Sequence, residues 1–250
     1  MIDNPYALVG KTVLVTGASA GIGKGVALMC SKMGAQCVIT ARNEQRLSET
    51  LNAMEGEGHQ KLLADLTDFT KIESFITQMP KLDGIVHCAG IRQRKMAKFL
   101  DEADIDAVMN ANFKGPVMLQ NELLKQKKIN KGASIVFITS IATESPSMGN
   151  SIYSASKGAL LSYSLCLKEE LAPRMIRVNC ISPAMVWTDL VLSDGISVDQ
   201  LKQDEAKYPL KRYGQPEDVA HLAVFLLSDA SSWMTGSNLK LTGGGNLEYR

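Results

Sequence analysis

The sequence predicts an α/β fold: one domain holding a doubly wound parallel sheet of about seven strands, with helices on both faces. Three observations carry this expectation. Short β-branched runs alternate with helical patterns along the whole chain, and no Pro/Gly/Ser-rich linker or repeat divides its 250 residues. The strand-like runs are also continuously apolar rather than alternating, as strands covered on both faces are.

The elements follow in order. "KTVLVTG" is a first strand ending in glycine, and "GIGKGVALMCSKMGA" a helix closed by Gly34. "QCVITAR" is the second strand and "NEQRLSETLNAMEGEG" the second helix. "HQKLLADL", "DGIVHCAG", "ASIVFITS" and "IRVNCISP" continue the strands. Between them lie the helices "DFTKIESFITQMP", "DIDAVMNANFKGPVMLQNELLKQ" and the stretch from Tyr153 to Ala172. A final strand, "NLKLTGG", follows the helix "PEDVAHLAVFLLS". The region 184–214 is the least regular, and in an open α/β sheet a long segment beyond the carboxyl end of a strand is placed to act as a substrate lid.

Composition narrows the function classes. Twenty-seven basic and twenty-six acidic residues leave a net charge of +1, so no global field recruits nucleic acid or an anionic membrane. Aromatic residues make up 6% of the chain, too few for a stacking platform that would bind single-stranded nucleic acid. The N-terminal stretch lacks the charged and apolar regions of a secretory signal, and no apolar run approaches the roughly 20 residues of a membrane span; a cytoplasmic protein is expected. Five scattered cysteines, Cys30, Cys37, Cys88, Cys166 and Cys180, have no Cys-x-x-Cys or histidine at ligand spacing, so buried free thiols and no metal are expected.

"TGASAGIG" follows the first strand and opens the first helix, the context required of a dinucleotide-binding turn in a Rossmann fold. Gly17, Gly21 and Gly23, with Ser19 and Ile22 beside them, would let backbone approach a pyrophosphate at the helix N-terminus. Where an NAD site usually offers a carboxylate to the ribose, at the end of the second strand, this chain has Ala41 and Arg42. Arg42 can hold a 2′-phosphate through charge-assisted bonds, which favours NADP(H) over NAD(H). Asp65 and Leu66 end the third strand, where they would meet the adenine; Asp65 is equally well read as the N-cap of the following helix. Ala89 and Gly90 end the fourth strand, where a glycine would admit the cofactor.

Reducing a ketone by hydride transfer needs a proton for the developing oxyanion and a group that polarises the carbonyl. Tyr153 can supply the proton if a cation lowers its pKa, and Lys157, four residues on, is such a cation on a helix. Ser140 ends the fifth strand thirteen residues earlier, where it either bonds the substrate oxygen or caps a turn. Asn112, a polar residue in a largely apolar helix, either bends that helix or holds a water that links Lys157 to solvent.

Taken with "ADLTD", "CAG", "NANFKG", "SIVFITS", "YSASK", "NCISPAMVWT" and the stretch from "PLKRYG" to "LTGGG", these motifs make the chain resemble the short-chain dehydrogenase/reductase family over essentially all its length. The resemblance implies that Asn112, Ser140, Tyr153 and Lys157 take the four catalytic positions and that Tyr153 and Lys157 also touch the cofactor. It adds Pro183, Val186 and Thr188 to the cofactor contacts. It implies a homotetramer built on helices near 113–128 and 153–172 with C-terminal contacts. Two positions depart from the family pattern: Cys88 stands where asparagine is common, and Ala184 where glycine is usual. Altered packing with retained catalysis is expected from the first.

The substrate is less legible. Arg92, Arg94, Lys95 and Lys98 form one basic stretch, and Lys125, Lys127, Lys128 and Lys131 another. They are either solvated faces or a docking surface for an acidic acyl carrier protein, as the resembling 3-oxoacyl-(acyl-carrier-protein) reductases of fatty acid biosynthesis suggest for positions comparable to Lys131 and Arg174. A small free ketone, keto sugar or sugar acid is the alternative substrate. A non-catalytic NADP(H) sensor is the alternative of another class.

Overall fold

Seven strands run parallel in this computed structural model, which describes residues 4–192 and 195–245. They are β1 (Thr12–Thr16), β2 (Gln36–Ala41), β3 (Gln60–Leu63), β4 (Leu82–His87), β5 (Ile129–Ile138), β6 (Arg177–Pro183) and β7 (Asn238–Leu241). Their order across the sheet is β3-β2-β1-β4-β5-β6-β7. The first three strands step outward on one side, and β4 then returns to the other side of β1. The order therefore reverses between β1 and β4, and a crevice opens there at the carboxyl ends.

Helices cover both faces. α1 (Gly21–Lys32), α2 (Glu44–Asn52) and α9 (Pro216–Leu227) lie on one side; α3 (Ile72–Thr77), α4 (Glu102–Met109), α5 (Gly115–Lys125) and α6 (Ser151–Leu171) lie on the other. Successive side chains of a strand point to opposite faces, and β1 divides accordingly. Val13 and Val15 pack with Val26, Ala27 and Ala223, whereas Leu14 packs with Ile85, Leu119 and Leu160. Each such side chain, wholly buried, contributes roughly 1.5–3 kcal/mol of transfer free energy, which is why the strands read as unbroken apolar runs.

Three local features differ from expectation. The single helix expected over 104–126 is interrupted by a π-turn, Asn110–Lys114, in which Gly115 N donates to Asn110 O five residues back. Asp65 caps no helix: its carboxylate accepts from the amide and hydroxyl of Thr67, 2.9 and 2.7 Å away, while α3 begins only at Ile72 behind Lys71. The fifth strand starts earlier than "ASIVFITS". Ile129 already pairs with Leu82 while Ser134 pairs with Gly84, so the residues between them bulge out of the ladder.

The irregular region 184–214 holds α7 (Asp189–Leu192) and α8 (Val198–Glu205), and positions 193 and 194 of it lie outside the described residues. So do residues 1–3 and 246–250, the last of which include part of the expected C-terminal contacts. A small core of Val191, Leu201, Tyr208 and Tyr213 supports the region, and a parallel bridge joins Val186 to Gly214. Cys30, Cys37 and Cys180 are buried as expected, but Cys88 is half-buried and Cys166 exposed. No helix among the described residues is long and apolar enough to cross a membrane.

Candidate active site

At the reversal of strand order, the hydroxyl of Thr16 accepts from the backbone N–H of both Cys88 and Ala89, each at 3.0 Å. This staple holds the carboxyl ends of β1 and β4 together. Gly17 follows with φ of 67°, and a Cβ there would stand 2.9 Å from Ala89 Cα, so the two turns meet only because the residue is glycine.

A cleft of about 320 Å³ opens beyond this contact. It is lined by the predicted Gly17, Ser19, Gly21, Ile22, Gly23 and Arg42, and by Asp65, Leu66, Ala89, Gly90 and Thr188. Sequence reasoning missed Thr40, Asn43 and Asp189 in the same lining. The predicted Pro183, Val186, Tyr153 and Lys157 are not part of it; Pro183 ends β6 and the Val186 side chain is buried in the core.

The cleft's chemistry fits an anionic dinucleotide. The N-cap of α1 is Ala20, which has no side chain to bond the first-turn amides, and that turn carries no acidic residue, so its partial positive charge faces the cleft uncompensated. The buried Thr40 hydroxyl finds no protein partner. Arg42 adds a full positive charge. Desolvation raises the Asp65 carboxyl, but the two hydrogen bonds from Thr67 and the nearby Arg42 outweigh it and hold the group below its ordinary range.

The predicted reacting residues gather beside the cleft's inner end. The Lys157 ammonium, 5% exposed, donates to Ile138 O at 2.8 Å and lies 6.0 Å from the centre of the Tyr153 ring. Burial pulls its pKa down to about 8. A Cβ on Gly90 would come within 2.9 Å of Asn112 Oδ1 and 3.5 Å of Lys157 Nζ, so both side chains converge on that glycine. The Arg92 guanidinium lies 5.9 Å from the centre of the same Tyr153 ring, and its Nε donates to Asn150 Oδ1 at 3.1 Å.

Asn112, inside the π-turn, bonds the loop after β4 and α6. Its Oδ1 accepts from Ile91 N at 2.7 Å, and its Nδ2 donates to Ile91 O at 2.9 Å and to Ser156 Oγ at 3.0 Å. The side-chain amide is thus a clamp on the strand-end loop and on α6. The Ser140 Oγ accepts from Ala142 N at 3.2 Å, capping a short 3₁₀ turn, Ile141–Thr143. A hydroxyl keeps its own hydrogen when it caps in this way, so Ser140 can still donate to a substrate oxygen.

Lys131 and Arg174 lie elsewhere. Lys131 sits in the bulge at the amino end of β5, and Arg174 precedes β6, donating to the backbone carbonyl of Ile129. Strands rise about 3.3 Å per residue, so this edge is roughly 20 Å from Ser140, at the end of the sheet opposite the cleft. Of the two basic stretches, the one that leads away from the cleft lining is the loop after β4. There Lys95 is paired with Asp101 and Asp104, and Arg94 donates to Met148 O at 3.4 Å.

Comparison with known proteins agrees with this geometry. A family model described as enoyl-(acyl carrier protein) reductase matches residues 17–246. The chain is 34% identical over 244 residues to the 3-oxoacyl-(acyl-carrier-protein) reductase of Rickettsia felis, covering 98% of each protein. It is 32% identical over 245 residues to an L-xylulose reductase of Caenorhabditis elegans, covering 96% of this chain and 97% of the other. Among solved structures, one from Beutenbergia cavernae provisionally named an NAD(P) dependent gluconate 5-dehydrogenase, with NADP at low occupancy, superposes with a TM-score of 0.85 at 28% identity, covering 96% of this chain and 98% of that one. The chain belongs to the short-chain dehydrogenase/reductase family of NAD(P)-dependent oxidoreductases.

Proposed function

We propose that the protein reduces a ketone to a secondary alcohol with NADP(H), its favoured substrate being a 3-oxoacyl thioester carried by acyl carrier protein. One observation carries the reaction: a buried ammonium, Lys157, lies between the end of β5 and the Tyr153 ring, beside the glycine that closes the cleft. The bound cofactor would supply the hydride. The Tyr153 hydroxyl delivers the proton to the carbonyl oxygen, and Lys157 stabilises the phenolate left behind. Ser140 donates its hydrogen to the same oxygen and orients it. Asn112 acts one step back by holding the Ile91 loop against α6.

Arg42 supports NADP(H), since the strand end that would offer a carboxylate to a ribose offers a guanidinium instead. The 3-oxoacyl thioester is supported by the similarity to the Rickettsia felis reductase. Carrier docking would engage Lys131 and Arg174, or the loop after β4, where the exposed Arg94 and Lys98 face solvent. A homotetramer joined through α5 and α6 would cover the exposed Leu165 of α6. The second reading, a keto sugar or sugar acid, is favoured by the L-xylulose reductase and gluconate dehydrogenase similarities.

Two measurements test this. Titration with NADPH and NADH, followed by cofactor fluorescence, should show tighter NADPH binding that Arg42→Asp abolishes; an unchanged ratio removes the 2′-phosphate contact. A panel of acyl-carrier-protein thioesters, small ketones and keto sugar acids, followed by NADPH consumption, should give the highest kcat/KM on the thioesters. Preference for sugar acids would favour the second reading, and intact binding with no turnover on any of them would leave a sensor.

A further inference from the structure

An ion pair crosses the outer mouth of the cleft. Arg46 Nη1, on the first turn of α2, lies 2.7 Å from Asp189 Oδ2, on the first turn of α7, and both side chains are more than half exposed, 54% and 64%. Stability does not account for the pair, because exposed ion pairs contribute only about 0–1 kcal/mol. Helix chemistry does not account for Arg46 either. The first turn of a helix favours an anion, and Asn43 already caps α2 by accepting from Arg46 N at 2.9 Å.

Charge balance in the cleft does account for it. The charged residues lining it are Arg42, Asp65 and Asp189, one cation and two carboxylates, a balance of +1 − 2 = −1. A phosphate entering beside Arg42 would meet two carboxylates for one side-chain cation, besides the positive end of α1. Arg46 brings the balance to zero, and its guanidinium is anchored on Asp189, one of those two carboxylates.

We propose that Arg46 is a second residue selecting the cofactor's 2′-phosphate, held at the rim by Asp189 in the free protein and shared with the phosphate once cofactor is bound. This rests on the NADP(H) reading above. The logic gives the two members of the pair opposite signs. Loss of Arg46 removes a cation and exposes a carboxylate, so it weakens NADPH. Loss of the Asp189 charge frees the cation, so it strengthens NADPH. NADH, without the extra phosphate, responds little to either.

The test measures dissociation constants of NADPH and NADH, and by calorimetry those of adenosine 2′,5′-bisphosphate and adenosine 5′-monophosphate, which isolate the extra phosphate from the nicotinamide. Arg46→Ala should weaken NADPH and the bisphosphate about 5–20-fold and their counterparts by less than about 2-fold, with Arg46→Lys between, as charge-assisted contacts at a solvent-exposed rim allow. Asp189→Asn should tighten the phosphate-bearing ligands about 2–5-fold. Equal effects of Arg46→Ala on both members of each ligand pair, or none, with Arg42→Ala still discriminating, would overturn the role of Arg46 alone. If Arg42→Ala also leaves the ratio unchanged, the 2′-phosphate reading of the whole cleft falls and this role falls with it.

Discussion

Lys157 Nζ bonds Ile138 O at 2.8 Å and stands 6.0 Å from the Tyr153 ring centre, so one buried cation ties the end of β5 to the phenol a turn earlier on α6. Burial holds its pKa at about 8 against an ordinary 10.5. A folded-state value below the unfolded one means that the fold disfavours the charged form. The contribution is fully favourable only above pH 10.5 and is lost as pH falls from there through 8, a cost of roughly 3 kcal/mol at neutrality. Lys157→Met should therefore abolish turnover yet raise stability at pH 7 by on the order of 1 kcal/mol, after the lost bond to Ile138 O is counted. Denaturant melts at pH 7 and pH 10 check this: wild type should gain stability between them and the variant should not.

Tyr153→Phe separates chemistry from binding. NADPH affinity should stay within about 3-fold of wild type while kcat falls at least ~10²-fold, the usual size of a general-acid contribution. Stopped-flow single turnovers, which exclude product release, give the decisive number, and a kcat close to wild type would move the proton donor elsewhere.

Asn112→Ala removes the side-chain partners of the Ile91 N–H and the Ile91 carbonyl and one partner of Ser156. Orphaned, part-buried polar groups cost about 1–3 kcal/mol each, so the melting temperature should drop by roughly 10 °C or more. Asn112→Asp keeps the acceptor for Ile91 N but cannot donate to Ile91 O, and should lie between the two. A melting temperature equal to wild type in both variants would mean that the clamp bears no weight.

Thr16→Val tests the staple at the sheet's reversal. The shape is nearly kept, but the Cys88 and Ala89 amides lose their acceptor, and a loss of about 2–4 kcal/mol is expected. Hydrogen exchange at those two amides should quicken before that of the β1 and β4 interiors. Uniform quickening across the sheet would argue for a global effect instead.

His87 sets an acid limit. It stacks on Phe137 with ring centres 4.6 Å apart, Nε2 facing Gln120 Oε1 at 3.2 Å, and burial lowers its pKa from 6.5 to about 4. The fold holds the neutral ring, so this contribution is present above pH 6.5 and is lost as pH falls toward 4, about 3 kcal/mol in all. His87→Phe should flatten the stability profile across that window in urea titrations. An acid limb of unchanged position and steepness would assign it to carboxylates.

The strands were legible because burial on both faces leaves β-branched runs that no helix pattern imitates, and the glycine turn because its place between strand and helix is local. The π-turn was not: an i→i+5 bond leaves no mark in the periodicity of "VMNANFKG", and Asn112 read only as a polar residue in an apolar helix. Thr16 and Cys88 are 72 residues apart, and Arg46 and Asp189 are 143 apart; one hydroxyl and one ion pair give no signal at such range. Lys131 and Arg174 show the converse case. Their charge was visible, but the direction of β5 and β6 puts them at the sheet's amino edge.

The π-turn also works as a counter. It holds one residue more than an α-helical ladder would, and that surplus phases α4 against α5. Deleting any one position from Asn110 to Lys114 would let the ladder heal into ordinary helix while turning everything before it by about 100° relative to everything after. The helix would be tidier and the Asn112 amide would no longer reach Ile91. This stretch should thus tolerate exchange of side chains far better than any change in its length.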